Sequence, residues 1–185
     1  MKGLAASPRG KNRSDPERGV TLLEILVVLT MLAVVSGVTA NYALEWIRRE
    51  KLRSALYTVS SQLELARLEA LNRNRSCRVI VDTDEGQVQV VDLNQPGDPT
   101  DDTVLASARL PEGVRFAAPG GGAAVTFELQ PDGRYAATYS AGGVVTAGAG
   151  QVVLAAGGRY GRVTLFVAGG TQVEHWADGG WHAGS

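Results

Sequence analysis

A chain of 185 residues has room for one ordinary domain, or for a small domain carried on a long extra element, which excludes a multidomain enzyme. Lys+Arg 18 against Asp+Glu 19 gives a near-neutral average, and aromatics at 6% beside 23 glycines suit short strands and tight turns rather than a large aromatic-lined cofactor pocket. The single cysteine, Cys77, excludes an internal disulfide and any paired-cysteine metal knuckle.

Residues 1–19 are polar and carry Lys2, Arg9, Lys11, Arg13 and Arg18 against Asp15 and Glu17, a net charge of +3 with nothing to build a core. Residues 20–44 then run for 25 positions with Glu24 as their only charge. As a helix this stretch is about 37 Å long, more than a hydrocarbon core of about 30 Å, and it reads as a transmembrane helix. A cleaved secretory signal shares the basic-then-apolar order, but the apolar run is too long for it, and Val38-Thr39-Ala40 is a poor match to its small-residue cleavage site. A plain signal anchor is the other alternative. Arg48, Arg49, Lys51 and Arg53 lie just beyond the span, so charge counting does not orient it.

A carboxylate inside an apolar span costs about 2–3 kcal/mol in lipid and calls for a partner. Cleavage between Gly19 and Val20 would free an α-amino group able to pair with Glu24 of a neighbouring copy; the simpler alternative is that Glu24 snorkels to the interface. The run Arg18-Gly19-Val20-Thr21-Leu22-Leu23-Glu24 resembles the signal sequence of type IV pilins and type II secretion pseudopilins, with Val20 where that family most often has Phe. The resemblance implies removal of a cytoplasmic leader by prepilin peptidase after Gly19, N-methylation of Val20, assembly through Glu24, and an outward-facing C-terminal domain in a bacterial inner membrane.

Beyond Lys51 the residues Leu52, Leu56, Val59, Leu63, Ala66 and Ala70 recur at steps of three and four, one stripe of an amphipathic helix, with Arg53, Ser60, Glu64, Arg67 and Arg73 on the other faces. Glu45 with Arg49 and Glu69 with Arg73 stand in the favourable order one helical turn apart. No proline falls between residues 20 and 75, so a single helix of about 55 residues is expected, with Gly37 and Asn41 as weak points. The periodicity then changes to two: Cys77, Val79 and Val81, a turn over residues 83–86, then Val88 and Val90 predict a hairpin. Further strands are predicted over 103–110, 124–130, 134–140, 151–156, 162–167 and 171–176, and a loop over 94–102. Seven or eight short strands against one helix stripe predict an α+β domain with two small antiparallel sheets. The chain divides into a leader (1–19), a transmembrane half-helix (20–44), an amphipathic half-helix (45–75) and a β-rich globular domain (76–185).

Residues 63–74, LELARLEALNRN, leading into a strand at Cys77, are similar to the helix end of the GspH/FimT family, and residues 158–176 to its closing hairpin. The resemblance implies a type IV pilin-like fold and a minor, tip-proximal subunit of a type II secretion pseudopilus, with other pilin-like subunits, prepilin peptidase and inner-membrane lipid as partners. The alternative within that family is a minor pilin of a type IV pilus, in which a motif like Gly158-Arg159-Tyr160-Gly161-Arg162 takes part in DNA uptake. Physically, Arg159, Tyr160 and Arg162 on a turn would contact phosphates and stack on a base. Against this, the chain from Val20 onward has 13 basic and 17 acidic residues, net −4, which leaves no general electrostatic footprint for nucleic acid. A third reading is a signal-anchored binding domain that never polymerises.

No catalytic spacing accompanies His175 or His182, so no enzyme activity and no cofactor are expected. Asp82, Asp84 and Glu85, and Asp98, Asp101 and Asp102, offer oxygen ligands without the spacing of a calcium loop; turn and loop solvation accounts for both groups, and no metal is expected. Cys77 reads as a small buried strand residue.

Overall fold

The computed structural model describes residues 21–94 and 101–183. One helix, α1 (Leu22–Arg73), spans 52 residues, helical through Gly37 and Asn41. The chain forms two compact units, divided after Asn41. In the first, the described apolar side chains from Leu22 to Val35 are exposed.

The second unit begins within α1 at Tyr42. The stripe read from the sequence is its spine: Leu52, Leu56, Val59, Leu63, Ala66 and Ala70 are all buried, joined by Ala55. The helix ends where Asn74 takes a left-handed backbone (φ 52). Its N–H donates to the Leu71 carbonyl and that of Arg75 to the Ala70 carbonyl, the bond pattern that closes a helix on a left-handed residue and turns the chain directly into a strand.

Among the described residues eleven strands follow: β1 (Ser76–Asp82), β2 (Gln87–Leu93), β3 (Thr103–Arg109), β4 (Arg115–Phe116), β5 (Glu128–Leu129), β6 (Tyr135–Tyr139), β7 (Val145–Ala147), β8 (Gly150–Ala156), β9 (Arg159–Leu165), β10 (Thr171–Ala177) and β11 (Gly180–Ala183). They form two sheets, ordered β3-β2-β1-β6-β5 with β7 also on β6, and β11-β10-β9-β8-β4. Every pairing is antiparallel. Cys77, Val79, Val81, Val88, Val90 and Tyr139 from the first sheet and Val152, Leu154, Val163 and Leu165 from the second share one core with the helix stripe. The absent side chain of Gly161 lets Leu56 lie directly on β9, since a Cβ there would collide with Leu56 Cδ1. The turn at Gly148 needs its glycine: its φ is +73 and a Cβ would run into the backbone of Ala136 and Ala137.

The two-sheet α+β architecture and the first hairpin are as expected, and four details are corrected. The region 124–130 is not a full strand: it yields an isolated bridge from Val125 to Val152 and the two residues of β5. The strand predicted over 162–167 begins at Arg159 and ends at Leu165. Strands β4, β7 and β11 were not anticipated; each has four residues or fewer, too short to show an alternation. The hairpin over 158–176 is therefore not the closing one, because β11 adds a further strand at its edge.

Candidate functional site

Gly19 and Val20, the expected cleavage and methylation positions, lie outside the described residues. The described helix start explains part of Glu24. Thr21 precedes α1, and its Oγ1 accepts a hydrogen bond from the Glu24 N–H at 3.2 Å, which caps one of the unpaired donors of the first turn. Thr21 and Glu24 stand in the spacing of a capping box, a helix-start signal carried by the same residues as the processing motif. The carboxylate sits in the first turn, where the helix dipole favours negative charge, and it is exposed. By length and composition α1 is long and apolar enough to cross a bilayer.

The Gly158–Arg162 motif is not the turn that was expected. Positive φ at Gly157 and Gly158 makes the turn, and Arg159, Tyr160, Gly161 and Arg162 all belong to β9. Strand alternation sends Arg159 and Arg162 to opposite faces. On the helix side, the Arg159 Nη2 donates to Glu45 Oε1 at 2.6 Å, and Arg49 Nη2 donates to the same oxygen at 3.1 Å. These two guanidinium groups, Arg159 foremost, hold the Glu45 carboxyl below its ordinary range. On the other face, Arg162 Nε donates to Glu174 Oε2 at 2.6 Å, and its guanidinium lies 4.5 Å from the Trp181 ring centroid. Trp181 in turn packs edge-on against Trp176, 5.1 Å between centroids.

Glu174 is mostly buried, and Arg162 holds its carboxyl below the ordinary range. A depressed folded-state value means that the pair stabilises the fold above the unfolded carboxylate range and loses that contribution as pH falls through the folded value. Glu174→Gln is therefore expected to lower stability by about 1–2 kcal/mol at neutral pH, with the gap to the native chain closing below about pH 4. Thermal melts of both chains from pH 7 to pH 3 test this; a gap that does not change with pH contradicts it.

His175 and His182 face each other across β10 and β11. Asp82 Oδ1 accepts the N–H groups of Asp84 and Glu85 at 3.0 and 2.9 Å, so the first acidic group is a turn that solvates itself. Asp98 lies outside the described residues, and among the described residues no three His, Cys, Asp or Glu side chains gather into a metal-holding group. Cys77 is a buried, free thiol; burial, and next the Asp92 carboxylate, push it up to about 11. Asp92 is itself buried and bound to Arg73 Nη1 at 3.2 Å, while Arg73 Nε bonds Glu69 at 2.6 Å.

The N-terminal region matches the family model of the prokaryotic N-terminal methylation motif over residues 15–40. Residues 57–171, more than half of the chain, match the model described as type II transport protein GspH. The chain belongs to the GspH family. GspH-family membership joined to the methylation motif makes it a pilin-like chain that associates with other pilin-like subunits and is anchored by its apolar helix. Two solved structures of the minor pseudopilin EpsH from the type II secretion system of Vibrio cholerae are similar to it. One is 14% identical, covering 66% of this chain and 95% of that one with a TM-score of 0.47. The other is 19% identical, covering 69% and 94% with a TM-score of 0.44. No curated protein matches the chain.

Proposed function

We propose that this GspH-family chain is a minor, tip-proximal pseudopilin of a type II secretion pseudopilus, a structural subunit that supports protein secretion across the outer membrane and catalyses no reaction. It is made with the leader 1–19 in the cytoplasm and the globular domain in the periplasm, held in the inner membrane by residues 20–44. Prepilin peptidase cuts after Gly19, Val20 is N-methylated, and the helix then exchanges lipid for the helices of neighbouring subunits. The observation that carries this reading is the exposed apolar run from Leu22 to Val35 on the same helix whose later turns form the spine of the GspH-matched domain. A helix apolar on all sides is stable only in lipid or among other helices.

The DNA-uptake reading draws on Arg159, Tyr160 and Arg162, and both arginines are matched by carboxylates on opposite faces of β9, so it is not adopted. The decisive measurement is the intact mass of membrane-extracted protein made with and without prepilin peptidase. The expected result is peptidase-dependent loss of residues 1–19 and the gain of one methyl group. A full-length mass in both samples contradicts the proposal and favours a signal-anchored domain that never polymerises.

A further inference from the structure

Where α1 passes β9 and β10, a cleft of about 300 Å³ is lined by Arg49, Leu52, Arg53, Arg159, Tyr160 and Trp176, with His175 and Ala177 completing its wall. Arg49, Arg53 and Arg159 line this space, and among the described residues no carboxylate does. The acid that holds two of them, Glu45, is half-exposed and bridges Arg49 and Arg159 through one oxygen. Arg53 meets the Tyr57 side chain, whose ring centroid is 5.6 Å from its guanidinium carbon, and feels the charge of Glu50. The cleft is thus a partly neutralised anion site with aromatic walls.

Its position selects the anion. Tyr42 and Trp46 are exposed on the turn at which the apolar segment ends, the placement of side chains that sit at headgroup depth. Arg49 follows Leu44 by five residues, about 7.5 Å along the helix axis. Arg49 and Arg53 thus follow the apolar segment within about three helical turns, and their long stems let the charged heads extend toward a headgroup. Arg48 and Lys51 add two more cations to the same two turns. Four basic residues flanking the outward side of a span run against the usual charge bias, and phosphates bound there would offset that placement.

We infer that this cleft binds the phosphate of an anionic phospholipid in the leaflet next to the globular domain, with Arg49, Arg53 and Arg159 as donors and Trp176 and Tyr160 against the headgroup. The inference rests on the membrane-anchored reading above. Glu45 stands in for the phosphate when no lipid is bound.

The test uses the full chain in dodecyl maltoside micelles with Trp46→Phe and Trp181→Phe, leaving Trp176 as the reporter. Short-chain phosphatidylglycerol is expected to give a saturable change in emission that phosphatidylcholine of equal chain length does not. Arg53→Gln with Arg159→Gln is expected to weaken that binding about twentyfold or more. Glu45→Gln, which removes the competing acid, is expected to tighten it several-fold, a gain that misfolding cannot imitate. Equal responses to the two lipids, an unaltered affinity in the double arginine variant, or weakening by Glu45→Gln overturns the inference. So does an inorganic phosphate response that matches phosphatidylglycerol, which would make it a free-phosphate site, or tighter binding of a single-stranded oligonucleotide, which would make it a nucleic-acid site. Cleavage and assembly do not enter this assay, so its failure leaves the pseudopilin reading standing, and failed processing leaves the cleft's lipid preference measurable.

Discussion

Glu24→Gln is expected to leave membrane insertion and leader removal unchanged while the amount of the chain recovered in sheared pseudopili falls at least about tenfold, a loss of about 1.4 kcal/mol or more per subunit. The carboxylate costs about 2–3 kcal/mol in the apolar part of a bilayer. Its position in the first turn of α1, where the helix dipole contributes about 0.3–1 kcal/mol, recovers only a fraction of that. Within the described residues no side-chain cation pairs with it. On the proposed function the partner of Glu24 is the α-amino group of a processed neighbour, so neutralising Glu24 would ease life in lipid and weaken the fibre. Thr21→Ala is the control. It removes the hydrogen bond that caps Glu24 N–H, costing about 1 kcal/mol at the helix start, and leaves the carboxylate charged. If both variants lose incorporation equally, Glu24 acts through the helix terminus and the intersubunit pair is wrong.

What was legible in the sequence is what repeats with a period. The stripe from Leu52 to Ala70 is legible because a half-buried helix must place one apolar face every three or four residues, and Cys77 to Val90 because a half-buried hairpin must alternate. Strands β4 and β7, with two and three residues, are held by their neighbours in the sheet and leave no period to read. Arg159 was misread because charged residues beside two glycines resemble a turn; the turn is confined to Gly157 and Gly158, and the arginine starts the strand. The salt bridge that fixes Arg159 joins residues 114 positions apart, a separation at which sequence pattern carries no information about contact. The Thr21 and Glu24 capping pair was local and readable, and was overlooked because the same residues belong to a processing motif. The cleft beside α1 belongs to the unreadable class, since its lining comes from one helix and two distant strands.

Leu63→Ala is expected to destabilise the globular domain by about 2–5 kcal/mol, lowering the thermal midpoint of the chain in detergent by roughly 10 °C or more, whereas Leu68→Ala changes stability by about 0.5 kcal/mol or less. The two leucines lie on consecutive turns of one helix and differ in environment: Leu63 has no exposed surface, while Leu68 is 49% exposed. Truncating Leu63 opens a cavity that its neighbours on the stripe do not refill, because Ala66 and Ala70 are too short and Val59 is held in one rotamer by its branch. Leu68 belongs with the exposed Tyr57 beside an open groove along the helix, so its truncation removes area from the surface and creates no void. Circular-dichroism melts of the two variants decide the matter, and a Leu63→Ala midpoint within a degree or two of the native value would show that the stripe is not the core. The consequences in the cell separate this lesion from that of Glu24. A domain weakened at Leu63 is lost to proteolysis before assembly, so its membrane level and its pseudopilus level fall together, whereas Glu24→Gln leaves the membrane pool full and empties only the fibre.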